Sequence, residues 1–121
     1  MLDGTVLVIE GRGYEPESGE LVFNALATVH YVVGSDEYRI RTNAMGRGGD
    51  FPIVPVDGGF DWFIDMGGPK VRYEIRLVEG QWLEEGYYVT PDGEEMKIIE
   101  LRLDRLGDTD WPAAGAVEMV D

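Results

Sequence analysis

The chain contains no cysteine in its 121 residues. That excludes a disulfide framework, a thiolate zinc site and a cysteine nucleophile, and leaves the redox compartment undefined. Histidine occurs once, too seldom for an imidazole-rich transition-metal centre, and no cofactor is expected. Basic residues are scarce, with 10 Lys+Arg against 24 Asp+Glu for a net charge of -14. A surface of that sign repels phosphate and argues against nucleic acid as a partner. Long apolar runs are missing too. The run Thr5 to Ile9 falls far short of the ~18 residues a spanning helix needs, and no basic, apolar and small-residue leader opens the chain. No membrane partner and no signal peptide are expected, and the localisation is left undetermined. The acidity fits a salt-rich habitat or solubility alone.

What is present is enough to fold. Hydrophobic residues make up 44 % and aromatics 11 %, so the acidity belongs to a chain able to bury a core rather than to a disordered tail. The length accommodates one domain. Glycine is abundant, 17 residues, and sits between apolar runs where turns belong. Alternation and β-branched or aromatic content mark eight strands, at 4–12, 20–32, 38–46, 50–56, 60–66, 70–78, 82–90 and 95–105, and no segment sustains a helical period. The expected fold is all-β: an antiparallel up-and-down meander over residues 1–106, closing into a barrel rather than leaving two bare edges. Residues 107–121, where Trp111-Pro112 and a Gly/Ala run break the pattern, form an irregular C-terminal tail.

Two turns set the register. A two-residue loop at Glu79-Gly80 pairs Leu77 with Trp82, Ile75 with Glu84, Tyr73 with Gly86 and Val71 with Tyr88. That face is apolar except for Glu84, while the opposite face carries Lys70, Arg72, Glu74 and Arg76. A turn at Thr90-Pro91-Asp92-Gly93-Glu94, with Pro, Asp and Gly where a type I turn and its bulge need them, pairs Thr90 with Glu94. Continued without interruption, this register sets Tyr88 opposite Met96, Gly86 opposite Ile98, Glu84 opposite Glu100 and Trp82 opposite Arg102, all inside. A slip of one residue would instead bring Ile99, Leu101 and Leu103 inside and send Glu100 and Arg102 to water.

The order and spacing of Leu2-Asp3-Gly4-Thr5 into Val8-Ile9-Glu10-Gly11, Phe23-Asn24-Ala25-Leu26-Ala27, Tyr38-Arg39-Ile40-Arg41, Val71-Arg72-Tyr73-Glu74-Ile75 and Trp82-Leu83-Glu84 carry a resemblance. Over residues 2 to 105 the chain resembles an uncharacterised bacterial family of lipocalin-like β-barrels in the calycin superfamily, distantly similar to nitrobindins and fatty-acid-binding proteins. The resemblance implies a calycin-like barrel. Members of that group open with a Gly-Trp-Gly-type strand and a second strand ahead of the Leu-Asp-Gly segment, and against that pattern the expectation is of a barrel lacking its N-terminal strands. The tail or a second copy of the chain would then cover the gap, and an exposed edge favours a homodimer.

An eight-stranded barrel is filled by its own side chains or holds one small ligand. Bulky Trp62, Tyr73, Trp82 and Tyr88 alternating inside with Gly86 and Ala27 suggest uneven filling and a cavity. The other reading is that these aromatics pack a solid core. On the first reading Trp62, Tyr73, Trp82, Tyr88 and Met96 line a site for a small, largely apolar molecule whose polar end Arg102 orients. Glu84 and Glu100 are the sharpest chemical feature, because two carboxylates in an apolar lumen cannot both ionise cheaply without a cation such as Arg102. Separated pKa values would suit a general acid–base pair in an isomerase or cyclase. A Glu-Arg-Glu network that only fixes register is the structural alternative, and a structural or dimerising module with a filled core is the third class of function.

Elsewhere the sequence yields less. A haem or nitric-oxide role, suggested by the nitrobindin resemblance, would need His30 as axial ligand, but alternation puts His30 with Asn24 and Thr28 on the outer face. Arg39 and Arg41 share that face if the intervening loop has four residues, forming a basic island able to receive an acidic tail or partner. Asp61 and Asp65 point outward and do not converge on a metal, although a calcium site on so acidic a surface stays open. Gly46-Arg47-Gly48-Gly49 reads as a turn, not a phosphate loop.

Overall fold

The structure is a computed structural model describing residues 5–65, 67 and 69–107. Eight strands follow one another: β1 (Val6–Tyr14), β2 (Leu21–Val32), β3 (Glu37–Ala44), β4 (Arg47–Val56), β5 (Gly59–Ile64), β6 (Lys70–Val78), β7 (Gln81–Val89) and β8 (Glu95–Asp104). Each pairs antiparallel with the next in the order β1 to β8. The expected all-β, up-and-down architecture is therefore present. Its sheet curls into a half-barrel. Closure is not reached among the described residues: β1 and β8 are the two ends of the sheet and do not pair with each other. Of the tail at 107–121, only Gly107 lies within the described residues, and Leu2, Asp3 and Gly4 of the first motif also lie outside them.

Turn chemistry explains the tight connections. Glu79 and Gly80 both have positive φ, 49° and 78°, as do Met45 and Gly46 at 51° and 76°. This is the backbone that lets a two-residue loop match the right-handed strand twist. The second of these turns corrects the reading of Gly46-Arg47-Gly48-Gly49. Ala44 already pairs with Arg47, so the reversal is Met45-Gly46, while Gly48 and Gly49 belong to β4. Gly49 is needed there because a Cβ would collide with the Phe51 ring.

The curl puts the core on one face. Ala27, Ile40, Ile53, Trp62 and Ile75 are buried there, with Ile40 3 % and Ile75 2 % exposed. Ile9, Val29, Phe51, Phe60, Ile64, Tyr73 and Trp82 pack around them. Burying an isoleucine as fully as Ile40 or Ile75 contributes about 1.5–3 kcal/mol. At one point strands approach so closely that only glycine fits: a Cβ on Gly59 would overlap the carbonyl oxygen of Ile75 in β6. Gly59→Ala should cost about 2 kcal/mol through the forced backbone shift, and Ile40→Ala about 2–4 kcal/mol through the cavity left. Val33→Ala, at a side chain 84 % exposed, should change stability by less than about 0.5 kcal/mol. Urea denaturation of the three variants checks this ranking.

Candidate functional site

The concave face between β6 and β8 is where the sequence placed its chemistry, and its register has two parts. The β6–β7 hairpin is as expected, with Leu77 opposite Trp82, Ile75 opposite Glu84, Tyr73 opposite Gly86 and Val71 opposite Tyr88. The β7–β8 hairpin also begins as expected. Thr90 N–H donates to the Glu94 carbonyl at 2.9 Å, and Tyr88 stands opposite Met96.

Beyond that point an irregularity between Gly86 and Tyr87 shifts the pairing. Tyr87 faces Lys97 while Gly86 faces Ile99, so Ile98 is the extra residue of a β-bulge. The expected partners of Glu84 and Trp82 are thereby corrected. Glu84 faces Leu101, Trp82 faces Leu103, and Glu100 and Arg102 stand opposite Glu85 and Leu83 on the convex face. This is the slipped register considered above. At Gly86 the Ile99 side chain and the Tyr73 ring occupy the space a Cβ would take. Bringing Ile99, Leu101 and Leu103 to the apolar side in place of Ile98, Glu100 and Arg102 avoids setting two charges on that face.

The structure therefore does not bring Glu84 and Glu100 together, and Arg102 cannot orient a molecule held on the concave side. Glu100 instead pairs with Lys97 at 3.0 Å, and Lys97 also reaches Glu85 at 3.1 Å, so one ammonium bridges two facing carboxylates. This solvated cluster holds the Lys97 ammonium protonated well above its ordinary range.

Trp62, Tyr73, Trp82, Tyr88 and Met96 do share the concave side with Glu84. Trp62 and Tyr73 stack at 4.4 Å between ring centroids, Phe51 leans on Trp62 at 5.9 Å, and Phe60 meets Trp82 edge-on at 6.4 Å. The free volume expected over Gly86 is filled by Tyr73 and Ile99, and Ala27 is part of the packed core. Trp62 Nε1 is buried without a hydrogen-bond partner among the described residues. Among the described residues, recesses open elsewhere. One of about 430 Å³ lies beside Gly11, Leu21, Ala25 and Met45, and one of about 350 Å³ beside Phe51, Phe63 and Lys70.

Glu84 is the chemically distinctive group of this face. Its Oε2 accepts a hydrogen bond from Trp82 Nε1 at 3.0 Å, an i, i+2 contact available because both side chains leave the same side of β7. Ile75 and Leu101 flank it across the strands. Burial raises the Glu84 carboxyl above its ordinary value, the Trp82 hydrogen bond opposing this only in part. Burial and the neighbouring Glu84 charge also raise the Tyr73 phenol. A half-buried carboxyl with an indole donor and a nearby phenol can accept a hydrogen bond, pair with a cation or carry a proton.

The outer-face expectations meet the structure as follows. Val32 pairs with Glu37, leaving the four-residue loop 33–36, and His30 stands opposite Arg39 and Thr28 opposite Arg41, away from the core. The basic island has its own acid, which the sequence reading missed. Asp50 on β4 is held by Arg39 and by Arg41 Nη2 at 3.1 Å, and these contacts lower its pKa. Cross-strand pairing of β3 with β4 is the signal that would have found it. Asp61 pairs with Arg76 at 2.7 Å and Asp65 with Lys70 at 3.5 Å. Among the described residues no group of three potential metal ligands converges.

No family model matches the chain, and neither a curated protein nor a solved structure is similar to it.

Glu84 makes a pH prediction. Its pKa is raised in the folded state, so the native protein holds the proton more tightly than the unfolded chain. Stability contributed by this group is full below the unfolded pKa and falls as pH rises through the folded one. Glu84→Gln should therefore be more stable than the wild type at pH 7, the advantage vanishing near pH 4. Thermal unfolding of both proteins across that range measures it.

Proposed function

We propose that the chain is a binding module whose concave face, near β6 to β8, holds a largely apolar molecule by its hydrocarbon body and takes the molecule's polar end at Glu84. The observation carrying this reading is a single carboxyl group, hydrogen-bonded by Trp82, among the apolar neighbours Ile75 and Leu101. Leu77, Leu101, Leu103 and Met96 leave apolar surface in water on that side, Leu77 57 % exposed and Met96 60 % exposed. Exposed apolar area ringed by polar groups is the ordinary mark of a contact surface.

With Arg102 on the convex side, the polar end is defined by a carboxyl group rather than a guanidinium. An amine or hydroxyl suits it, and a carboxylate does not. The acid–base reading loses its second carboxylate for the same reason, which leaves Glu84 alone to move a proton.

The test is a titration with dodecylamine, dodecanol and laurate, followed through tryptophan fluorescence because Trp82 touches the proposed anchor. Dodecylamine should bind at least about tenfold tighter than laurate. Glu84→Gln should remove most of that preference, as expected for a charge-assisted hydrogen bond of about 1.5–3 kcal/mol. Laurate binding as tightly as the amine, or a preference untouched by Glu84→Gln, would contradict the reading.

A further inference from the structure

The β8 edge carries an inference independent of the ligand. All ten residues of β8 are exposed. Its side chains sort by face, Ile99, Leu101 and Leu103 on the concave side and Glu100 and Arg102 on the convex side. Backbone direction follows from the hairpin before it. In a two-residue loop the flanking pair, Val78 and Gln81, exchanges both backbone hydrogen bonds. Alternation then turns the N–H and C=O groups of Trp82 and Glu84 towards β8, and those of Leu101 and Leu103 towards β7. The Arg105 N–H donating to the Gly80 carbonyl at 2.9 Å is in the same phase. The backbone groups of Glu100 and Arg102 consequently face away from the sheet.

We propose that a second copy of this chain occupies that edge, β8 pairing antiparallel with its counterpart about a two-fold axis through Leu101. Glu100 of each copy then exchanges two backbone hydrogen bonds with Arg102 of the other. Their side chains, on the same face, form two cross-strand ion pairs. Ile99 meets Leu103 on the apolar side, and the two sheets become one of sixteen strands.

Charge selects this register. Centring on Glu100 sets glutamate against glutamate, and centring on Arg102 sets arginine against arginine, each destabilising. Centring on Leu103 joins Arg102 to Asp104 but runs past the end of β8 at Asp104. Arg102 makes no ion pair among the described residues and Glu100 meets Lys97 through Oε2 alone, whereas on the β1 edge Arg12 already pairs with Glu10 at 2.5 Å. The β1 edge is further weakened as a template by Gly11, Gly13 and a register shift at Gly13/Tyr14.

Sedimentation velocity in 0.15 M salt, where the net charge of -14 per copy is screened beyond about 8 Å, should show a dimer. Glu100→Arg sets arginine opposite Arg102 and should weaken the dimer at least about tenfold, and the double variant Glu100→Arg/Arg102→Glu should restore it. The absence of cysteine allows a second readout. Leu101→Cys puts two thiols at a non-hydrogen-bonded pair with Cα atoms about 4.5 Å apart, within disulfide range, and mild oxidation should cross-link it far faster than Val8→Cys on β1. A monomer at all concentrations, a double variant no better than the single one, or Val8→Cys cross-linking in preference to Leu101→Cys would overturn the proposal.

Discussion

The slip of one residue in the last ribbon governs the chemistry of this protein. Up to Tyr88 and Met96 the two final strands pair as their turn dictates, and one extra residue, Ile98, then exchanges the faces of everything that follows. Because side chains alternate with a period of two, the bulge carries Glu100 and Arg102 out of an apolar environment and brings Ile99, Leu101 and Leu103 into it. Keeping charge off the apolar face favours the exchange. Gly86 leaves a vacancy between β6 and β8 that the Tyr73 ring and Ile99 fill together. The opposing outcome would have set Glu100 and Arg102 on a face whose burial already raises the pKa of the one carboxyl it holds.

Curvature and electrostatics then divide the molecule into two unlike faces. The convex side distributes its charge into ion pairs such as Arg76–Asp61 and Arg72–Glu95 and the Lys97 bridge between Glu85 and Glu100. Exposed pairs of this kind contribute little stability each. Strand alternation, not the pairing, is what keeps these acidic groups off the concave side. There the stacked and tilted rings from Phe51 to Trp82 and the buried Ile40, Ile53 and Ile75 supply most of the cohesion. Glu84 stands alone among them, its cost reduced by the Trp82 indole.

Strand positions were legible because their determinants are local. Alternation, β-branched residues and glycine punctuation placed all eight strands within a few residues, and Glu79-Gly80 fixed the β6–β7 partners through Trp82, Glu84, Gly86 and Tyr88. The bulge was not legible, because nothing in Lys97-Ile98-Ile99 marks an extra residue. What it decides lies further along the strand, in the face on which Glu100 and Arg102 stand. Asp50 escaped notice for a related reason, since its partners Arg39 and Arg41 reach it only once β3 and β4 are paired. Closure into a barrel was expected from the cost of bare edges, yet the curl over eight strands ends as a half-barrel.

The central claim is the register of β7 against β8, and interstrand Hα–Hα nuclear Overhauser effects measure it directly, because they are strongest across non-hydrogen-bonded pairs. The account predicts strong contacts between Glu85 and Glu100 and between Leu83 and Arg102. Strong contacts between Glu85 and Ile99 and between Leu83 and Leu101 would show an uninterrupted ladder, return Glu100 and Arg102 to the concave side and contradict it.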